Sequence, residues 1–83
     1  MKSTRFGSEK SKNIVGAKVR SVRLALKPAC SQEDLSGRLA KHEIKIDRSA
    51  IARIESGQRY VMDYELWAIA RALKVPIKVL LAD

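Results

Sequence analysis

The stretch Asp47-Arg48-Ser49-Ala50-Ile51-Ala52-Arg53-Ile54-Glu55-Ser56-Gly57 reads as one complete short helix. Asp47 offers a side-chain oxygen to the free amides of a first turn, and Gly57 supplies the left-handed residue that ends it. At about 100° per residue, Ala50, Ile51 and Ile54 fall within about 100° of arc. Arg48, Ser49, Ala52 and Arg53 take the opposite side, spread over about 140°. One face can be buried; the other offers two guanidiniums, a hydroxyl and a methyl group.

Upstream, Ser31-Gln32-Glu33-Asp34 opens another helix, with Ser31 as cap and Asp34 at the capping-box position. Leu35 and Leu39 face inward from it. Earlier still, Val15, Val19, Val22 and Leu26 recur as one narrow helical stripe between Ile14 and Lys27. Asn13 is the expected N-cap, and Pro28 ends the segment because it lacks a donor and restricts Lys27. Downstream, Gln58 to Met62 reads as a loop. Asp63 is expected to cap a fourth helix, buried through Leu66, Ile69, Ala70 and Leu73. Val75-Pro76 breaks that helix, and Pro76 starts a short apolar fifth one through Leu81. No strand is credible, and the fold class is all-α.

A chain of 83 residues and 9.3 kDa holds one domain. Its 46% hydrophobic content is near the globular average, and its 5% aromatic content disfavours a large sheet. Lys and Arg number 17 against 9 Asp and Glu, so the net charge is +8 and the pI near 10.1. That is the profile of a polyanion binder. The first thirty residues hold eight cations against Glu9 alone, while residues 31–59 carry a net +1 and residues 60–83 none. Met1 to Lys12, rich in Ser and Lys, reads as a flexible basic arm ahead of a domain at 13–83. One cysteine, Cys30, allows neither an internal disulfide nor a structural zinc site. No apolar run approaches the roughly 20 residues of a membrane span, and the basic N-terminus is not followed by a signal-peptide core. A reducing, cytoplasmic setting fits these readings.

Four motifs then line up in order. They are Gly16-x-x-Val19-Arg20-x-Val22-Arg23, Ser31-Gln32-Glu33-Asp34-Leu35, Ile51-x-x-Ile54-Glu55-x-Gly57 and Leu66-x-x-Ile69-Ala70-x-x-Leu73-x-Val75. Together they resemble the phage Cro/repressor-type helix-turn-helix domains, the XRE group, over roughly Ile14 to Leu81. The resemblance implies a five-helix, lambda-repressor-like domain that binds double-stranded DNA, with Arg48, Ser49, Ala52 and Arg53 at the base-reading positions. Arg can bond a guanine edge through two donors, Ser can donate or accept, and Ala can touch a thymine methyl. The resemblance also places Gln32 on the DNA backbone, where a helix N-terminus favours phosphate. It implies as well that Arg23 and Glu55 pair across the core, which makes them structural. Gln58 and Arg59, just past Gly57, and Arg20 on the first helix are further phosphate candidates. The segment Ala40 to Ile46 is longer than the family's usual turn and lacks its glycine. Either the second helix is longer, or a wide loop is capped by Ile44 and Ile46.

The remaining residues have plain readings. Cys30 is a small buried hydrophobe, and His42 is half-buried at the end of the second helix. Tyr64 and Trp67 either pack in the core or form a partner surface. Val75, Ile77, Val79, Leu80 and Leu81 bury against the fourth helix, supply a two-fold contact, or both. No nucleophile–base pair, metal cluster, paired acids or phosphate loop is visible, so no enzyme activity, metal, cofactor or small-molecule substrate is expected. The favoured function is a sequence-specific, repressor-like transcriptional regulator, binding a near-palindromic operator as a homodimer with half-sites roughly 34 Å apart. The rivals are an antitoxin-like protein-interaction module that uses the apolar C-terminus, and a nonspecific nucleic-acid binder dominated by the arm.

Overall fold

Side-chain bonds to first-turn or N-cap amides set where the second, third and fourth helices start. The computed structural model describes residues 11–82, and among them lie five helices: α1 (Gly16–Ala25), α2 (Gln32–Ala40), α3 (Arg48–Glu55), α4 (Asp63–Leu73) and α5 (Ile77–Leu81). The N-terminal arm expected at 1–12 falls, except for Ser11 and Lys12, outside the described residues. Lys12 is already joined to the domain, since its N–H donates to the Gly57 carbonyl at 2.8 Å.

The capping box of α2 forms in both directions. Ser31 Oγ accepts the Asp34 N–H at 2.9 Å, and the Asp34 carboxylate accepts the Ser31 N–H at 3.1 Å. Hydrogen bonding from Ser31, its backbone N–H first and its hydroxyl second, holds the Asp34 carboxyl below the usual range. Asp47 Oδ1 accepts the Ala50 N–H at 2.9 Å and starts α3. Asn13 is not the N-cap of α1: that position is Val15, which makes no side-chain cap bond, and Asn13, two residues earlier, instead braces the approach to the helix by accepting from Val15 and Gly16 at 3.0 and 2.7 Å. The helix itself is shorter than the stripe suggests: Ile14 is outside it and exposed, and the chain turns extended at Leu26. Asp63 does not cap α4. It is the first helical residue, and Glu65 reaches back instead to accept the Met62 N–H at 3.0 Å. Pro76 precedes α5 in an extended conformation and is not part of it.

Three helix ends share one geometry, in which the N–H groups of the last two residues return to carbonyls of the final turn. At α3, Gln58 bonds to Arg53 and Gly57 to Ile54, at 2.7 and 3.0 Å, with Gly57 at φ 80. At α2, Ile44 bonds to Leu39 and Glu43 to Ala40, at 3.0 and 2.9 Å. At α4, Val75 bonds to Ala70 and Lys74 to Arg71, at 3.0 and 3.1 Å. Glu43 and Lys74 therefore occupy the left-handed region at φ 63 and 62, where glycine is the usual choice. The extra residues before α3 do not lengthen α2. They form the wide loop, with Ile44 half-buried and Ile46 buried beneath it.

The core sits where α2 packs on both α3 and α4 while α1 bridges α3 and α5. Its fully buried members are Val19, Cys30, Leu35, Leu39, Ile51, Ile54, Ile69, Leu73 and Leu80. Burial pushes the Cys30 thiol up, as suits an unreactive hydrophobe. Gly16 marks a close approach of two backbones. A Cβ there would run into the Ile54 carbonyl oxygen, so α1 rests directly on the last turn of α3.

Candidate nucleic-acid interface

The outer arc of α3 is open to solvent. Arg48, Ser49, Ala52 and Arg53 are all exposed, while Ala50, Ile51 and Ile54 face the core. The ion pairs among the described residues, Arg23–Glu55 and Arg59–Glu65, use neither Arg48 nor Arg53. Both guanidiniums are therefore free to meet an external acceptor, with Arg48 and Ser49 in the first turn.

Behind this arc lies a polar seam. Arg23 Nε donates to Glu55 Oε2 at 2.8 Å, and Nη2 donates to Oε1 at 2.9 Å. The third guanidinium nitrogen, Nη1, donates to the Cys30 carbonyl at 2.8 Å. The two side chains are only 6% and 4% exposed, a depth at which a charge pair must be fully hydrogen-bonded to be tolerated. Hydrogen bonding to Glu55 raises the Arg23 guanidinium above its ordinary value and outweighs its desolvation. Glu55 is thereby removed from the surface that an acid would spoil.

Gln32 joins the same seam. It stands in the first turn of α2, half-buried, and its Nε2 donates to Glu55 Oε1 at 3.0 Å. Gln58 and Arg20 are exposed. Arg59 is differently placed from a free phosphate contact. Its Nη1 donates to Glu65 Oε1 and to the Tyr60 carbonyl, both at 3.0 Å, and Nη2 donates to Glu65 Oε2 at 3.2 Å. Burial pushes the Glu65 carboxyl up, but hydrogen bonds from Arg59 and the Met62 N–H, with the Arg59 charge, overcome this and leave it below the usual range.

Sequence reasoning missed what holds α3 in place from below. Asn13 Nδ2 donates to the Ile54 carbonyl at 3.0 Å and to the Arg59 carbonyl at 2.8 Å. One side chain thus braces the approach to α1, closes the end of α3 and pins the following loop. The available signal was Asn13 three residues before a glycine, a position with no side chain.

The family profile described as helix-turn-helix matches residues 29–80. The chain belongs to the helix-turn-helix family. Within it, the chain is of the Cro/repressor (XRE) type, as its motifs imply. The crystal structure of the restriction-modification controller protein C.AhdI from Aeromonas hydrophila superposes with a TM-score of 0.68. It is 30% identical over 80% of this chain and 86% of that one. No curated protein matches the sequence. This helix-turn-helix domain is a DNA-binding transcriptional regulator and not an enzyme. Among the described residues, no helix is long and apolar enough to cross a membrane, and no group of three or more metal-ligating side chains gathers.

Proposed function

We propose that this regulator binds a near-palindromic operator as a homodimer, in the manner of a repressor, with α3 in the major groove of each half-site. The observation that carries the reading is the pairing of a free arc with a locked base. Arg48, Ser49, Ala52 and Arg53 are exposed, while Glu55 on the same short helix is fixed to Arg23 from α1. In this reading Arg48 and Arg53 take guanine edges, Ser49 and Ala52 complete the base contacts, and Gln58 and Arg20 meet phosphate. Gln32 keeps an amide hydrogen for phosphate while its other donor holds Glu55. Arg59 contributes charge to the same strand with its geometry set by Glu65. Ile77 and Leu81, one turn apart on α5 and 38% and 45% exposed, support α5 as the two-fold contact. The cytoplasm, where the operator lies, is the expected location.

Selection of bound duplexes from a random pool at physiological salt tests this reading. A near-palindrome with half-site centres about 34 Å apart is expected. Arg48→Ala and Arg53→Ala should each cost about 1–3 kcal/mol and relax preference at one base position per half-site. Equal weakening on every sequence would remove the base-reading assignment. Sedimentation of Ile77→Asp should show a monomer.

A further inference from the structure

The C-terminal ends of α2 and α4 lie side by side, tied by Arg38 Nη1 donating to the Ala72 carbonyl at 3.1 Å. Between them is a hollow lined by Arg38, Lys41, His42, Arg71, Ala72 and Lys74. Four of these six are cations, a fifth is an imidazole, and among the described residues no carboxylate lines the hollow. Trp67 borders it, 51% exposed. The Arg71 guanidinium stands over the indole at 4.9 Å, and the His42 ring meets it edge-on at 6.2 Å.

Cations are favoured at helix C-termini, where each end carries about half a negative charge. Two such ends amount to about one unit of charge, and Arg38 already answers one of them through its bond to Ala72. Lys41, Arg71 and Lys74 stand in excess, and none is paired with a carboxylate among the described residues. Gathering them costs repulsion that an anionic partner relieves. The hollow also faces away from the reading helix. Ser36 and Ala40 line the groove that α2 shares with Ala50 and Arg53 of α3, whereas Arg38 and Lys41 line the opposite flank. A duplex held by α3 leaves this flank open.

We propose that the hollow is a docking site for an acidic segment of a protein partner. The partner's carboxylates meet Lys41, Arg71 and Lys74, and an apolar side chain lies on Trp67. A protein segment is favoured over a second duplex because the cations converge from two helix ends instead of forming a line along a backbone. The bordering indole adds apolar surface that a phosphate chain does not use, and Trp and Arg are the residues that anchor protein interfaces. The site shares no residue with the DNA-reading surface, so the two can fail separately.

Trp67 is the sole tryptophan of the chain, and its fluorescence reports on the hollow directly. The full chain is titrated at low salt with a Glu-rich peptide carrying a single Leu, with inorganic phosphate, and with a duplex of unrelated sequence. The expected result is a saturable change in Trp67 emission with the peptide alone, weakened about tenfold in the Lys41→Glu/Lys74→Glu double variant. Duplex binding followed by mobility shift should persist in that variant. If its helical circular dichroism is lost, Lys41→Gln/Lys74→Gln takes its place. No response to the peptide, or an undiminished response in the folded double variant, overturns the proposal. So does saturation by phosphate, which would mark a simple anion site, or a shift of Trp67 by the duplex itself, which would mark a nucleic-acid surface.

Discussion

Arginine meets glutamate twice among the described residues, in settings that differ in depth and in reach along the chain. Arg23 and Glu55 are 6% and 4% exposed and lie 32 residues apart. Arg59 and Glu65 are 28% and 10% exposed and lie six residues apart. The first pair joins two helices, and each of its three guanidinium nitrogens donates to Glu55 or the Cys30 carbonyl. The second folds a loop against the first turn of α4 and leaves part of its guanidinium in water. The same two side-chain types thus tie α3 to α1 in one place and shape a local turn in the other. Depth decides which role they take, because a buried charge left without its partner cannot recover its hydration.

The comparison breaks most readily at its deeper member. Arg23→Ala or Glu55→Ala should cost about 3–5 kcal/mol, measured by urea unfolding followed by circular dichroism. Arg59→Ala, discounted for its exposure, should cost about 1–2 kcal/mol. Equal losses at the two sites would mean that depth is not what separates them. Between these lies Asn13→Ala, which removes two local bonds at the start of α1 and two interelement bonds and should cost about 2–3 kcal/mol.

Acid sharpens the contrast. Glu65 has a folded pKa below its unfolded value, so its contribution is fully present above the unfolded value of about 4.3. It is lost as pH falls through the lower folded value. Stability of the native chain should therefore drop below about pH 4 more steeply than that of Glu65→Gln, as followed by denaturant midpoints across pH.

The smallest effects leave both pairs intact and change only backbone cost. Glu43→Gly and Lys74→Gly should each stabilise the domain by about 0.5–1 kcal/mol, because both residues sit at positive φ. A loss at either position would mean that its side chain repays the strain through contacts.

Much of this was legible in local sequence. Ser31, Asp47 and Gly57 mark helix ends by chemistry that acts within three residues, and the apolar stripes mark the buried faces. The exposed arc of α3 follows from the same periodicity, and its proposed base-reading role from the resemblance. What stayed hidden depends on neighbours distant in the chain. Asn13 meets Ile54 and Arg59 more than forty residues away, and no local pattern announces that. Arg59 is a phosphate candidate in the sequence because nothing local announces its pairing with Glu65, the same glutamate that takes the place expected of Asp63 at the start of α4. Glu43 and Lys74 adopt a conformation their residue types disfavour, imposed by Ile44 and Val75 packing behind them.

The open arc of α3 has a consequence for how such a protein changes over time. The four outward positions contribute nothing to the seam or the core, and substitutions at exposed sites of this kind usually shift stability by less than about 0.5 kcal/mol. In the proposed reading, new operators can be tried at residues 48, 49, 52 and 53 without endangering the fold that presents them. In this domain the vocabulary is free to drift because the grammar is written elsewhere.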